Sequence, residues 1–178
     1  MVDATDLAYL AGAPFTDDEV DAAIASVRAA AGWHIAPVLE ETAVLFDIDR
    51  YQSALRLPTR KLISVEEIRG ADTQTVVPST SYRISHTRNQ VLLYGSYWSY
   101  GFERVEVDFT HGYTEWPQDL WPLIAEAASM SRRDPSVNRQ TAGVFTVGYG
   151  SGGAASSLNP LSTGSALDRY SLCELGIA

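Results

Sequence analysis

Val20, Ile24, Val27 and Ala31 recur at the spacing of one helix face, with polar or small residues between them, which predicts an amphipathic helix. Its ends are marked in the sequence. Thr16 and Glu19 form a capping box, in which the threonine hydroxyl accepts the amide of residue 19 while the glutamate carboxylate reaches back. Asp17 and Asp18 suit the positive end of the helix dipole, and Gly32 is placed to stop the helix. The reading is a helix from Asp17 to Ala31, preceded by a short helical turn over residues 5–11 that Gly12 and Pro14 close.

From Val44 to Thr110 the pattern changes to period two and short apolar runs separated by turn residues, the pattern of strands. Strands are predicted over 43–48, 54–57, 62–68, 81–85, 91–94 and 104–110. The last is the clearest: Val105, Val107 and Phe109 face one way while Arg104, Glu106, Asp108 and Thr110 face the other, so one face is buried and one is wet. The segment GSYWSYG, residues 95–101, reads as a hairpin tip or a partner-facing loop. Tyr97, Trp98, Tyr100 and Phe102 are too many aromatics for a solvated loop, so core packing or an interface should cover them.

A second helix must accommodate Pro122, which cannot donate a backbone hydrogen bond. With Asp119 as N-cap the regular helix starts near Leu120, and Pro122 is its third residue, where the amide has no intrahelical partner in any case. Leu123, Ile124, Ala127, Ala128 and Met130 form its apolar stripe, Arg132 and Arg133 suit its C-terminal dipole, and Asp134-Pro135 stops it. Gly112 permits a tight exit from the preceding strand, and Trp116-Pro117 is a rigid lead-in. Gly112, Tyr113, Pro117, Asp119 and Pro122 together read as a structural joint rather than an active-site turn. Beyond residue 136 one strand over 144–149 is expected, then a Gly/Ser-rich linker and a short helix over 166–175.

These elements predict an α+β fold: N-terminal helices and a central helix packed on a small antiparallel sheet or long β-hairpin, with an extended C-terminal arm. The boundaries expected are a domain over 1–135, helical over 5–31, β-rich over 43–110 and helical over 119–133, and an arm over 136–178. A length of 178 residues suits one domain with tails. The net charge of −9 argues against sequence-reading DNA binding, which needs clustered Lys and Arg. Cys173 is the single cysteine, so no intramolecular disulfide can form. With no run of about 18 apolar residues and no signal-peptide pattern, a soluble intracellular product is expected.

Little in the chain points to catalysis. His34, His86 and His111 are scattered without metal-ligand spacing, so no metal, cofactor or catalytic residue is assigned. His111 near Asp108 could suggest an acid–base pair, but it reads as an exposed turn histidine. Asp17, Asp18, Glu19 and Asp21 read as a helix-start charge cluster. GYGSGG at 148–153 lacks the lysine of a phosphate-binding loop and reads as a flexible turn. Arg60-Lys61 and Arg132-Arg133 read as surface charge.

The order of parts then matters: a capped helix, LRLPTRKLISVEEI, YRI followed by VLLYG, and VEVDFTHGYTEWPQDLWPLIAEAA. Leu57-Pro58 leading to Val65 and Ile68, the run from Val105 to Tyr113, and Pro117 with Asp119-Leu120 resemble the head-to-tail connector proteins (adaptor or head-completion) of long-tailed bacteriophages, in particular those infecting actinobacteria. The resemblance implies a virion neck protein assembled in the host cytoplasm. It implies a ring, dodecameric in the virion, bound under the portal protein and extending the DNA channel, with a surface for a stopper or tail-completion protein. An isolated chain could be monomeric until the portal templates it. DNA would pass without sequence-specific binding, which the acidic balance suits, and the family brings no catalytic residues. Partner contacts are expected at Trp98, Tyr100, Arg132 and Arg133, and along the arm at Leu158, Leu161, Leu167, Tyr170, Leu172 and Leu175. The rival readings are a tail-completion protein and an enzyme or small-ligand domain using Trp98, His111 and Trp116.

Overall fold

The computed structural model describes residues 2–132, 139–142, 145–148 and 166–172. The fold is α+β, with helices α1 (Asp17–Ala31) and α2 (Trp121–Ser131) and strands β1 (Leu39–Ile48), β2 (Ala54–Arg56), β3 (Leu62–Gly70), β4 (Tyr82–Ser85), β5 (Gln90–Leu93), β6 (Gly101–His111), β7 (Arg139–Ala142) and β8 (Phe145–Gly148). The chain forms two compact units, one of residues 1–32 with 116–178 and the other of residues 33–115.

In the helical unit α1 has the predicted ends. The Thr16 hydroxyl accepts from the Glu19 amide, Glu19 returns the bond to the Thr16 amide, and Gly32 closes the helix in the left-handed conformation. Val20, Ala23, Ile24, Val27 and Ala31 are buried, and α1 packs on α2, which buries Leu123, Ile124, Ala125, Ala127 and Ala128. The short helical turn expected over 5–11 is a set of turns that does not extend into a helix. The turns are closed by Ala8 to Thr5, Leu10 to Leu7 and Ala13 to Leu10 bonds; a segment this short forms too few bonds to offset helix nucleation. In β7–β8 the strand expected over 144–149 runs over 145–148 as one half of an antiparallel hairpin. Of the expected helix over 166–175, Ala166–Arg169 is a 3₁₀ turn; the linker and residues 173–175 lie outside the described residues.

The sheet unit holds two three-stranded antiparallel sheets, ordered β1-β6-β3 and β2-β5-β4. β6 is central in the first, paired on both sides, and it alternates: Val105, Val107, Phe109 and His111 are buried, and the strand residues between them are not. Side chains of both sheets meet in one core that includes Ile48, Leu55, Leu57, Ile68, Val91, Val107 and Phe109. Buried Asn89 ties the sheets together, accepting the Leu62 amide at its side-chain oxygen and the Leu57 amide at its carbonyl. On the outer face of the first sheet Arg69 sits among Glu67, Glu106 and Asp108 at 2.8, 3.2 and 3.0 Å, a cross-strand charge network.

Candidate functional site

The residues expected to form one joint divide between the units: Gly112 and Tyr113 in the sheet unit, Pro117, Asp119 and Pro122 in the helical unit. Gly112 leaves β6 with φ +104°, and its amide donates to the Lys61 carbonyl at 2.8 Å. The Tyr113 amide donates to the Ile35 carbonyl at 2.8 Å, and the Lys61 ammonium lies 5.8 Å from the centre of the Tyr113 ring. The strand exit is therefore held from two sides by backbone.

His111 is not an exposed turn residue. It is 2% exposed, because it continues the odd-numbered buried series of β6. Its ring lies 5.1 Å from Phe109, 6.1 Å from Trp33 and 6.2 Å from His34 between centroids. Nε2 is 3.3 Å from a Glu41 oxygen, but neither ring nitrogen makes a hydrogen bond of good geometry. A buried polar group left in that state is a cost. His111→Leu is therefore expected to hold stability within about 1 kcal/mol of wild type or to raise it. Urea unfolding measures this, and a loss above about 2 kcal/mol would show that the imidazole is engaged.

Around Pro117 the structure corrects the expected cap. Gln118–Leu120 form a 3₁₀ turn, Leu120 is the N-cap of α2 without a side-chain bond, and Pro122 is the second helical residue rather than the third. Proline is tolerated at either position, since the first four amides have no intrahelical acceptor. Asp119 instead faces the C-terminal segment: its carboxylate accepts the Tyr170 hydroxyl at 3.0 Å and lies 3.5 Å from Arg169. The Leu172 amide donates to the Ala31 carbonyl at 2.9 Å, and Leu167 and Leu172 are half-buried. Trp116 is buried, with the Arg28 guanidinium 5.6 Å from its ring, and its carbonyl accepts the Trp121 indole N–H.

Arg132 is occupied within the helical unit. It donates to both Glu19 oxygens at 2.6 Å, to the Gly12 carbonyl at 3.0 Å and to the Pro14 carbonyl, and lies over Phe15. The Arg132 bond, then the Thr16 amide, hold the Glu19 carboxyl down to about 2. A carboxyl depressed by folding contributes stability that is complete above its ordinary value and is lost as pH falls toward the folded one. Glu19→Gln should therefore lower the urea midpoint near pH 6, with the two proteins converging toward about pH 2. A difference independent of pH would contradict the pairing. Arg133, Leu158, Leu161 and Leu175 lie outside the described residues.

Of the two covers expected for Trp98, core packing and an interface, the structure has the first. The residue is 4% exposed and belongs to the core of the sheet unit, its amide bonded to the Gln52 carbonyl at 2.8 Å. The neighbouring aromatics are open: Tyr100 is 60% exposed and Phe102 83%. Among the described residues no three His, Cys, Asp or Glu side chains could hold a metal ion together, and no helix is long and apolar enough to cross a membrane. The feature that residue-by-residue reading missed is a shallow concavity lined by Ala54, Arg83, Ser85, Arg88, Gln90 and Leu92. Its signal in the sequence is an absence: residues 73–102 contain neither Asp nor Glu.

No protein-family model matches the sequence, and no curated protein does. Among solved structures, the chain is similar to one in the neck of an empty gene transfer agent (GTA) particle computed with C6 symmetry. The TM-score is 0.53 at 19% identity, covering 86% of this chain and 76% of that one. A chain in the neck of the native GTA particle computed with C12 symmetry gives 0.49 at 18% identity, covering 86% and 80%. The first likeness shows a shared fold.

Proposed function

We propose that this chain is a structural subunit of the neck of a phage-like particle, where copies form a ring between the portal protein and a stopper or tail-completion protein and extend the DNA channel. The observation that carries the reading is the shared fold with a neck chain over 86% of this sequence, which agrees with the independent resemblance of the run from Val105 to Leu120 to phage connectors. The chemistry is compatible. The net charge of −9 suits a channel along which DNA slides without adhering, and the histidine nearest to a catalytic arrangement, His111, is buried. The Asp119–Tyr170 and Leu172–Ala31 bonds support an arm whose residues 166–172 are seated on its own helical unit.

Electron microscopy of the chain mixed with the portal protein of the same particle tests the proposal. A ring of added density beneath the portal, with the cyclic symmetry of a dodecamer, is the expected result. No added density, or binding to a tail component alone, would overturn the portal-side placement.

A further inference from the structure

We infer that the arginine-bearing outer face of the β2-β5-β4 sheet is the surface on which a second copy of this chain docks, through its carboxylates. The inference rests on the ring reading and names the contact within it. Strand alternation builds the face. Leu55 and Val91 point into the core, so their neighbours Ala54, Arg56, Gln90 and Leu92 take the opposite side. The register sets Arg83 beside Leu92 and Ser85 beside Gln90. Arg88, in the β4–β5 turn, completes the lining of the concavity.

Two exposed arginines mark this face. Arg69, Arg104, Arg132 and Arg169 each meet a carboxylate of their own chain. Arg83 and Arg88 are exposed and have no ion pair among the described residues. The stretch that holds both arginines, residues 73–102, contains no acid, while all 22 carboxylates and the other 11 basic residues lie elsewhere in the sequence. A guanidinium is weakly hydrated and presents a planar fork that fits a carboxylate bidentately, so such a face is suited to an acidic partner.

The occupant follows from the same distribution. Outside this stretch each copy carries twice as many acids as bases, so a neighbouring copy is itself the acidic partner. A ring closed by rotation needs two different faces on each subunit, one basic and one acidic here. The same acid-free stretch carries Tyr94, Tyr97, Tyr100 and Phe102, each more than half exposed, and Tyr and Arg are the residue types enriched in interfaces. Duplex DNA is the weaker candidate, since a patch this small releases few counterions and the whole chain is acidic.

Sedimentation velocity of the full chain and of R83E/R88E, over a concentration series at about 0.1 M and about 1 M salt, tests this, because the screening length falls from about 10 Å to about 3 Å between them. The expected result is wild-type self-association that weakens with salt and a variant whose association is at least tenfold weaker in low salt. The thermal unfolding of the variant should be unchanged. Mixing the variant, whose acidic face is intact, with wild type should give short assemblies ended by the variant. Wild-type rings unaffected by the variant or by salt would overturn the contact while leaving the ring reading intact. For a chain monomeric at every concentration, wild type and variant are compared for ring assembly on the portal protein, where loss of the ring in the variant supports the contact and equal assembly would overturn it. Loss of DNA binding in the variant with unchanged self-association, read by anisotropy of a labelled duplex, would overturn it in favour of a phosphate surface.

Discussion

Gly112→Ala should destabilise the sheet unit by about 2–4 kcal/mol, through backbone strain and a clash that nothing nearby can relieve. At φ +104° a residue with a Cβ is strained whatever space surrounds it. Here there is also no space. A Cβ at this position would lie 2.9 Å from the Pro37 carbonyl oxygen and 3.3 Å from that of Ile35. Both obstacles are backbone, and the second is pinned as the acceptor of the Tyr113 amide. The Gly112 amide is bonded to Lys61 in turn, so β6 cannot swing away without losing ladder partners on one side or the other. Gly95→Ala is the control. Gly95 has φ +60°, inside the left-handed well, and a Cβ there would meet nothing within 4 Å; its cost should be about 1 kcal/mol. Urea unfolding of both variants separates the two situations, and equal losses would mean that the approach of residues 35–38 does not fix the strand exit.

What was legible in the sequence follows the range of the interaction that decides each feature. The ends of α1 are set by groups within four residues of each other, Thr16 with Glu19 and Arg28 with Gly32, so pattern and capping rules locate them. The strands of the sheet unit were legible to within a few residues because burial on one face imposes period two. Their partition into two sheets was not, since pairing joins residues such as Leu39 and His111 that lie far apart in sequence. His111 was legible in principle: the alternation that buries Phe109 buries it too, and its place at the strand end beside the turn argued for the surface. Asp119 could not be read locally. Its carboxylate answers to Tyr170, a residue of the distant arm, in place of its own helix amides. Arg132 suited the helix dipole by position, yet its guanidinium is drawn to Glu19 and the carbonyls of Gly12 and Pro14. The candidate surface was hidden for a different reason, because an absence of acids becomes meaningful only when the sheet brings Arg83 and Arg88 onto one face.

Trp98→Ala is expected to cost about 3–5 kcal/mol, the range for deleting a large aromatic from a packed core, whereas Tyr100→Ala should stay within about 0.5 kcal/mol of wild type. They lie two positions apart, and the sequence offers core packing or a partner surface for both. The difference is made by Gln52, which forms a bridge with Trp98 and so turns the indole into the core shared by Leu55, Val91 and Val105. Its ring nitrogen is buried without a hydrogen-bond partner, so the indole contributes through packing. Trp98→Phe, which removes that nitrogen and keeps most of the apolar surface, should recover at least half of the loss. Tyr100 has the opposite profile, mostly exposed in an acid-free stretch. Its removal should leave the unfolding curve in place while weakening assembly of the chain with itself. Denaturant melts and sedimentation on the same two variants therefore form a crossed test. If Tyr100→Ala unfolds early and Trp98→Ala does not, the core and the surface of this loop have been exchanged. If neither changes assembly, the exposed aromatics have no part in the ring contact, and the arginine face must act without them.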